Sequence, residues 1–319
     1  MEKRICSIFL LLTLLLALLP LQANAVTAGM VALDMQEISR TEYQISKDVK
    51  EYEWLLNNGS LTKQMEVKVG KDSTATIAAG YSDYNIGDIK NNQWAMVKTT
   101  EQAQAMETRR KVNVVGAING GGFDMSNGRP SGALVLDGTV IQSANSTTFW
   151  VDKENVAHIT DGTEYTQAVA DGRVSEAISS FGDILSDGKA YTGLDNSTRA
   201  SRTAVGIKPD GSVVLFMVDG RQSPYSAGMT MAELAAAMEE LGCERAINLD
   251  GGGSSTFATQ REGDVVSEVD PNGKSAGLTL RCRPSDGYER RVSNTLMVLS
   301  SAKATGEFDH AVLMPNNEI

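Results

Sequence analysis

The chain repeats one short pattern: an apolar strand that ends in Ala-Ile-Asn, followed within two residues by a glycine triplet. The first copy is AINGGGFD at residues 117–124, and the second is AINLDGGGSS at residues 246–255. Glycine loses more conformational freedom on folding than any other residue, so three in a row need a physical reason. We interpret both loops as places where a ligand comes close to the backbone, with tight turning as a second requirement.

A helical pattern precedes each copy. Residues 100–110, which begin with a possible Thr100 cap, and residues 229–241 both predict helices. Each runs into a short apolar strand, at residues 112–118 and 245–249. An internal duplication would explain the similar spacing and would bring both loops to one end of a shared sheet. Two unrelated turns of a common kind would give the same pattern.

Short alternating runs separated by turn residues dominate the rest of the chain. Residues 134–141, 149–159 and 203–218 predict antiparallel hairpins, the first through an Asp-Gly turn. Residues 41–56 instead predict a helix packed outside the main sheet. The predicted fold class is α+β: a mixed, largely antiparallel twisted sheet with flanking helices.

The two ends are predicted to lie outside this body. Residues 1–25 have a basic start, a short leucine-rich run and an Ala-x-Ala cleavage site, as in a secretory signal peptide. We therefore expect an exported protein, with an uncleaved anchor as the alternative. Residues 26–64 are predicted to be a partly helical extension, residues 65–300 the main domain, and residues 301–319 a C-terminal tail.

Charge and cysteine content limit the partners. The net charge of −11 argues against nucleic acid and anionic membranes. Once the signal is removed, the cysteines are Cys243 and Cys282. In an oxidising compartment they could form one disulfide, but two buried free thiols fit the sequence as well.

The glycine loops do not match common catalytic motifs. GGGSS lacks the lysine of a P-loop, and the spacing is not GxGxxG. Neither His158 nor His310 lies near a motif, which argues against a Ser-His-Asp relay and a zinc site. What remains is a set of polar residues on predicted loops and strand ends: Asn119, Asp124, Arg202, Asp219, Arg221, Asn248, Asp250, Ser254 and Ser255.

These residue types suit an anion held beside a carboxylate. Consecutive glycine amides can form an anion-binding nest, and arginine binds phosphate through paired N–H groups. Structural roles remain open: Asp219 in a turn, Asp124 as the cap of its own loop, and both Arg202 and Arg221 in packing or ion pairs. We favour a phosphorylated substrate that is cut.

Six segments, in order, carry a resemblance to a known family. They are Asn119-Gly-Gly-Gly-Phe123, Pro130-Ser-Gly132, Ser201-Arg-Thr-Ala-Val-Gly206, Val218-Asp-Gly220, Gly228-Met-Thr-Met-Ala-Glu-Leu234 and Asn248-Leu-Asp-Gly-Gly-Gly-Ser-Ser255. Over about residues 65–300 the chain resembles the phosphodiester glycosidase domain family. The resemblance implies a secreted hydrolase that cleaves the glycosidic C–O bond of a sugar-1-phosphodiester, such as an α-N-acetylglucosamine-1-phosphate diester or an envelope glycopolymer, and releases sugar and a phosphomonoester.

For that reaction one carboxylate is enough, because a phosphomonoester is a good leaving group. We expect Asp250 to act as nucleophile or as base for water, with Asp219 or Asp124 as replacements. Phosphate is expected to bind Arg202, Arg221, Ser254, Ser255 and the amides of Gly251, Gly252 and Gly253. The sugar is expected to bind Asn119 and Asn248, beside Gly121 and Gly122 of the first loop.

Other interpretations keep the same pocket. A phosphoglycan-binding envelope protein would use it without chemistry, and a phosphodiesterase would cut the P–O bond instead. No metal-ligand spacing is specific, but Ca²⁺ or Mg²⁺ bound by paired aspartates would make activity sensitive to chelator. The sequence leaves open the natural sugar, the aglycone, the anomeric outcome and the oligomeric state.

Overall fold

The computed structural model describes residues 35–85, 87, 94–179, 181–262, 264 and 277–302. The predicted signal peptide and almost all of the predicted C-terminal tail lie outside these residues. No helix among the described residues is long and apolar enough to cross a membrane. The predicted domain boundaries remain predictions.

Strands contain more of the described residues than helices do. In sequence order they are β1 (Glu37–Ser46), β2 (Val49–Leu56), β3 (Leu61–Val67), β4 (Ala75–Tyr81), β5 (Val97–Lys98), β6 (Asn113–Asn119), β7 (Leu134–Leu136), β8 (Thr139–Gln142), β9 (Thr148–Asp152), β10 (Ala157–Thr160), β11 (Val174–Ser179), β12 (Gly182–Ser186), β13 (Lys189–Ala190), β14 (Arg202–Ile207), β15 (Val213–Val218), β16 (Arg245–Asn248), β17 (Phe257–Thr259), β18 (Thr279–Leu280), β19 (Arg291–Val292) and β20 (Asn294–Ser300). The α-helices are α1 (Thr99–Arg110), α2 (Gly162–Ala170) and α3 (Met231–Glu240).

The strands form three main sheets. The largest has the order β1-β2-β3-β15-β14-β16-β12-β13, and the two five-stranded sheets have the orders β10-β9-β11-β7-β8 and β18-β17-β6-β20-β4. Strands β5 and β19 form a separate pair. The pairings between described strands are all antiparallel. The largely antiparallel fold with helices is therefore confirmed, and the parallel pairs that a mixed sheet implies are not found in this part of the chain.

The three sheets share one apolar core and cover their outer faces with helices. Phe149, Ile118 and Leu215, one from each sheet, lie in the shared core and are almost completely buried. The other face of the largest sheet packs against α3, through residues such as Leu234. Helix α1 packs likewise on the β6 sheet and α2 on the β9 sheet. Burying both faces of each sheet in this way removes apolar surface from water.

The helix predicted over residues 41–56 is wrong: these residues form the hairpin of β1 and β2, which extends the largest sheet through β3. The partly helical extension is therefore a strand extension in its described part. The alternation of apolar and polar residues that indicates a strand is interrupted here, because a charged residue, Glu51, occupies a buried position. Its carboxylate accepts hydrogen bonds from Arg261 and from the Thr259 hydroxyl, which makes burial of the charge tolerable.

Other element predictions are confirmed. The three predicted hairpins form as β7–β8, β9–β10 and β14–β15. Helix α3 begins at a capping box in which Thr230 and Glu233 bond each other's backbone N–H groups. The Thr100 cap is wrong, because α1 begins at Thr99 and its N-cap residue, Lys98, makes no side-chain cap bond.

The two glycine loops are not at the end of a shared sheet. Strand β6 lies in a five-stranded sheet and β16 in the eight-stranded one. The loops nevertheless meet, because the Asp250 N–H donates a hydrogen bond of 3.0 Å to the Gly120 carbonyl. The internal duplication stays a hypothesis. Cys243 and Cys282 are free thiols, so the disulfide alternative is not realised.

Candidate active site

A cleft of about 420 Å³ opens at the end of β16. Seven predicted site residues line it: Arg202, Arg221, Asn248, Asp250, Gly251, Gly252 and Gly253. The register explains why they meet, because Ala204 of β14 and Gly182 of β12 both lie opposite Asn248 of β16. The residues at these strand ends, and those just beyond them, therefore lie together at one end of the sheet.

Asp250 is the one carboxylate among the residues that line this cleft in the described chain. Its Oδ1 accepts a hydrogen bond of 2.9 Å from the Gly251 N–H. Burial raises the pKa of the Asp250 carboxyl above its ordinary value, while hydrogen bonds from Ser254 and Gly251 and the charge of Arg290 oppose the rise. A carboxyl of this kind is suited to proton transfer or to attack on an electrophile.

Three guanidinium groups surround the cleft. Arg202 is held by two backbone carbonyls, with Nε 3.1 Å from the Met229 oxygen and Nη2 2.8 Å from the Thr198 oxygen. Burial lowers the pKa of Arg202, the charge of Asp195 opposes this and that of Arg221 reinforces it. Two arginines this close, facing a cleft with a single carboxylate, are suited to an anionic ligand.

Arg221 has an unusual backbone. Its φ of 59° lies in the left-handed region, which residues other than glycine rarely adopt. Its guanidinium lies against Gly252, where an added Cβ would be 3.0 Å from Nη1. Within the described residues Arg221 makes no ion pair or hydrogen bond of its own. Backbone strain that presents an unpaired charge to a cleft is typical of functional sites.

Arg290 was missed by the sequence analysis. Its side chain pairs with Asp286 at 2.7 Å, and its Nη1 lies 3.4 Å from the Ser254 hydroxyl. It also packs so closely on Gly253 that no Cβ fits there. In sequence, Asp286 and Arg290 look like an ordinary surface pair at a spacing of four. Only the fold brings this arginine to the glycine loop.

The second glycine loop does not form the predicted anion nest. The Gly251 N–H is bonded to Asp250, and the Gly252 N–H donates 2.8 Å to the Ser201 carbonyl. The Ser254 and Ser255 N–H groups bond back to carbonyls of the same loop. Most of the amides are therefore already used. The glycines are required instead because Arg221, Arg290 and Ser201 press against them.

Asn119 does not face the cleft, contrary to the predicted sugar contact. It is completely buried, and its Nδ2 donates 2.7 Å to the Asp250 carbonyl. Its Oδ1 accepts from the Thr203 hydroxyl and the Thr256 N–H, at 2.9 and 3.0 Å. Asn119 thus positions the backbone of Asp250 from below.

Gly121 and Gly122 also lie outside the cleft lining. The Gly121 N–H donates 2.7 Å to Asn294, and Gly122 packs under the ring of Phe181. Ser254 and Ser255 are completely buried. The Ser255 hydroxyl accepts a hydrogen bond of 3.2 Å from Thr203. The Ser254 hydroxyl accepts from Arg290 and hydrogen-bonds the Asp250 carboxyl. These four residues support the site from beneath.

Asn248 is the predicted sugar-binding residue that does line the cleft. Its side chain is 9% exposed, and its buried Oδ1 has no hydrogen-bond partner among the described residues. A buried acceptor without a partner costs free energy. A partnerless acceptor in a residue that lines the cleft points to a ligand as its hydrogen-bond partner.

Asp219 is not among the residues that line the cleft. It is completely buried, and its Oδ2 lies 2.9 Å from the Lys63 Nζ and 3.2 Å from the Tyr225 hydroxyl. Its Oδ1 accepts from the Arg283 N–H at 2.9 Å. These partners use both oxygens, so the geometry favours the structural role over the catalytic one.

Asp124 caps its own loop. Its carboxylate accepts from the Ser126 N–H and hydroxyl at 2.8 and 2.7 Å and from Asn127 at 2.9 Å. It is exposed and lies outside the cleft lining. The three bonds from Ser126 and Asn127, more than the charge of Arg129, hold the pKa of Asp124 below its ordinary value. The loop-cap alternative is favoured.

The described residues contain no cluster of three or more His, Cys, Asp or Glu side chains that could hold a metal ion. The paired aspartates that a Ca²⁺ or Mg²⁺ site would need are also separated by their surroundings. Asp250 faces the cleft, whereas Asp219 is bonded to Lys63. The Ca²⁺ or Mg²⁺ that the sequence left open thus has no paired-carboxylate site formed by Asp219 and Asp250.

Comparison with known proteins identifies the family. The model of the phosphodiester glycosidase family matches residues 112–299, more than half of the chain. Mouse N-acetylglucosamine-1-phosphodiester alpha-N-acetylglucosaminidase is 28% identical over 165 residues, which cover 44% of this chain and 31% of that protein. The SPbeta prophage-derived uncharacterized protein YomE of Bacillus subtilis is 29% identical over 213 residues, covering 63% of this chain and 30% of that protein. The chain thus spans less than a third of the length of these two relatives.

Solved structures show the same fold. The catalytic domain of zebrafish N-acetylglucosamine-1-phosphodiester alpha-N-acetylglucosaminidase, auto-inhibited by its pro-peptide, has a TM-score of 0.55 at 20% identity, over 83% of this chain and 88% of that one. A hypothetical protein from Synechocystis has a TM-score of 0.53 at 14% identity, over 82% of this chain and 64% of that one. The resemblance noted from the sequence motifs is confirmed, and the chain belongs to the phosphodiester glycosidase family.

Proposed function

We propose that this protein hydrolyses the glycosidic C–O bond of a sugar-1-phosphodiester in the cleft around Asp250. The observation that carries the proposal is one partly buried carboxyl with a raised pKa, in a cleft that Arg202, Arg221 and Arg290 also line. Membership of the family supports a glycosidase that acts on sugar phosphodiesters. An α-N-acetylglucosamine-1-phosphate diester is the model substrate, because relatives carry that name.

In the proposed reaction the bond between the sugar C1 and the bridging oxygen breaks. The electron pair stays on that oxygen, and the departing group becomes a phosphomonoester. Such a group has a second pKa of about 6, so it leaves as an anion without a strong proton donor. Three fixed guanidinium groups stabilise the charge that grows on it. The arginines thus act on the leaving group.

Asp250 acts on the other side of that bond. In its ionised form it attacks C1 and gives a glycosyl ester that water then hydrolyses to free sugar, or it takes the proton from a water whose oxygen attacks C1 directly. Either step opposes the positive charge that develops on the sugar ring. The Asn119 amide and the Gly251 N–H hold Asp250 in place, so that little reorganisation is needed during the reaction.

Product analysis tests the proposal. The purified protein is incubated with the α-1-(methyl phosphate) diester of N-acetylglucosamine, beside an Asp250→Asn control. We expect free sugar and methyl phosphate from the unmodified protein, and at least a hundredfold less from the control. Sugar-1-phosphate and methanol would instead assign a phosphodiesterase. Binding without product, here and on a panel of other sugar phosphodiesters, would assign a phosphoglycan-binding protein.

Export through the residue 1–25 segment completes the proposal. It would give the enzyme access to envelope glycopolymers. Fractionation of cells that produce the full chain tests this. Activity in the cytoplasmic fraction alone would contradict it.

A further inference from the structure

An exposed aromatic side chain forms part of the cleft wall. Phe181 is 65% exposed and lines the cleft. Most aromatic side chains gain stability through burial, and Phe181 forgoes most of that gain. Tyr288 is exposed to a similar extent, 66%, but does not line the cleft.

Strand register places Phe181 on one side of Asp250 and Arg202 on the other. Gly182 of β12 and Ala204 of β14 lie opposite Asn248 on its two sides. Phe181 precedes Gly182, and Arg202 lies two residues before Ala204, so both belong to the edge where Asp250 follows β16. The guanidinium of Arg221, against Gly252, continues the cationic side. Phe181 therefore lies on one side of the Asp250 position, and Arg202 lies on the other.

The ring of Phe181 packs on the first glycine loop. An added Cβ on Gly122 would lie 2.5 Å from Cζ of the ring and 3.0 Å from Cε1. The ring thus rests directly on the Gly122 backbone, a contact that only glycine permits. This close packing gives a physical reason for a glycine at position 122.

We propose that Phe181 is the platform on which the sugar ring stacks while its phosphate binds the arginines. One face of a pyranose carries C–H groups and is apolar, so it can cover an exposed aromatic ring. The carboxamide of Asn248, whose Oδ1 has no partner among the described residues, lies beside the same edge and hydrogen-bonds the polar rim of the sugar. The inference rests on the proposed function, and assigns the sugar to the Phe181 side of Asp250.

Calorimetry on binding-competent variants tests the platform separately from the chemistry. In an Asp250→Asn background, the dissociation constants of the N-acetylglucosamine α-1-(methyl phosphate) diester and of inorganic phosphate are measured. We expect Phe181→Ala to weaken the diester about tenfold, the loss of one apolar ring contact, and to leave phosphate unchanged. Phe181→Trp should restore diester binding, and Tyr288→Ala, the matched exposed aromatic, should change neither constant.

Other outcomes would overturn the proposal. Unchanged diester binding in Phe181→Ala, an equal loss of phosphate binding, or phosphate binding without diester binding in the Asp250→Asn protein each contradicts a sugar platform. Lack of turnover by the unmodified protein, with Phe181-dependent diester binding, would remove the proposed hydrolysis and keep the platform.

Discussion

At the scale of single residues, two aspartates near the glycine loops differ in what surrounds them. The carboxylate of Asp219 accepts bonds from Lys63, Tyr225 and the Arg283 backbone inside the protein. That of Asp250 lies at the cleft and has a pKa raised by burial. A buried ion pair that loses one partner leaves an uncompensated charge, whereas a cleft carboxyl can be changed with less effect on folding.

We therefore expect Asp219→Asn to lower the melting temperature but to keep its turnover at temperatures where it is folded. Asp250→Asn should lose turnover and keep its melting temperature. Breaking the Asp219–Lys63 pair should cost about 3 kcal/mol of unfolding free energy, because Lys63 is left buried and unpaired. Thermal unfolding and the initial rate on the model diester measure the two effects. A stable but inactive Asp219→Asn protein would assign Asp219 to catalysis.

The Asp250 carboxyl also sets a pH dependence. If it works ionised, activity is lost on the acid side as pH falls through its pKa, which burial raises above the ordinary value. The charge of Arg290 favours the ionised form, so Arg290→Gln should raise the pKa further and move this loss to higher pH. Arg290→Lys keeps the charge and is the control. Profiles of kcat/KM against pH decide, and an acid limb that stays or moves to lower pH would contradict the assignment.

Sequence reasoning reached the residues of the second glycine loop because Asn-Leu-Asp-Gly-Gly-Gly-Ser is itself unusual. It could not reach Arg290 or Phe181, which lie on segments without such a pattern. The pairing of β12 with β16 brings Phe181 to the loop, whereas Arg290 reaches it from outside these strands and contacts Ser254 and Gly253. Sequence reasoning also misassigned the glycine amides, because nothing in the sequence shows that Ser201 and Asp250 already occupy two of them.

At the scale of elements, a buried carboxylate joins three of them. Glu176 of β11 accepts from the Ala79 N–H of β4 at 3.2 Å and from Arg110 of α1 at 2.9 Å. Burial raises the pKa of Glu176 to about 7, although the charge and hydrogen bond of Arg110 oppose the rise. The contact between two sheets thus depends on a group that titrates near neutrality.

Stability should therefore fall with pH in a defined window. The folded protein binds the Glu176 proton more tightly than the unfolded chain, whose pKa is near 4.5. The stabilisation is complete below about pH 4.5 and is lost as the pH rises to about 7. Glu176→Gln should lack this loss. Between about pH 4.5 and 7 its melting temperature should therefore rise relative to that of the unmodified protein as the pH increases. The exposed Glu154→Gln is the control, and parallel curves for all three proteins would contradict the assignment.

The hairpin of β1 and β2 shows why strands without a clear turn signal were harder to predict than hairpins that have one. Turn residues fix local geometry, so the Asp-Gly hairpin of β7 and β8 could be predicted, with Asp137 and Gly138 at positive φ as expected. The β1–β2 segment has a charged residue at a core position, and its partner Arg261 is distant in sequence. Long-range pairing of this kind overrides local pattern.

At the scale of the whole molecule, an acidic protein contains a cleft that carries three arginines. The net charge of −11 repels polyanions at long range, whereas the cleft attracts a small anion at short range. The sequence predicted the acidic surface and the family, but not that sheets with different strand orders would meet at Asp250. The expectation of a shared sheet was therefore wrong, because β6 and β16 belong to different sheets.

A cationic cleft for a leaving phosphate should also bind free phosphate. We expect inorganic phosphate to inhibit hydrolysis competitively, raising KM without lowering kcat. Arg221→Ala should weaken that inhibition about tenfold, because it removes one charge-assisted contact. Arg109→Ala, at an exposed arginine that does not line the cleft, is the matched control. Non-competitive inhibition, or equal inhibition of the Arg221 variant, would place phosphate elsewhere.

The central claim is the position of bond cleavage, and hydrolysis in ¹⁸O-labelled water tests it most directly. The ³¹P NMR signal of the methyl phosphate product reports whether the label enters the phosphate. Cleavage between C1 and oxygen predicts unlabelled methyl phosphate, because water adds to the sugar. Labelled phosphate would show attack at phosphorus and would contradict a glycosidase built around Asp250.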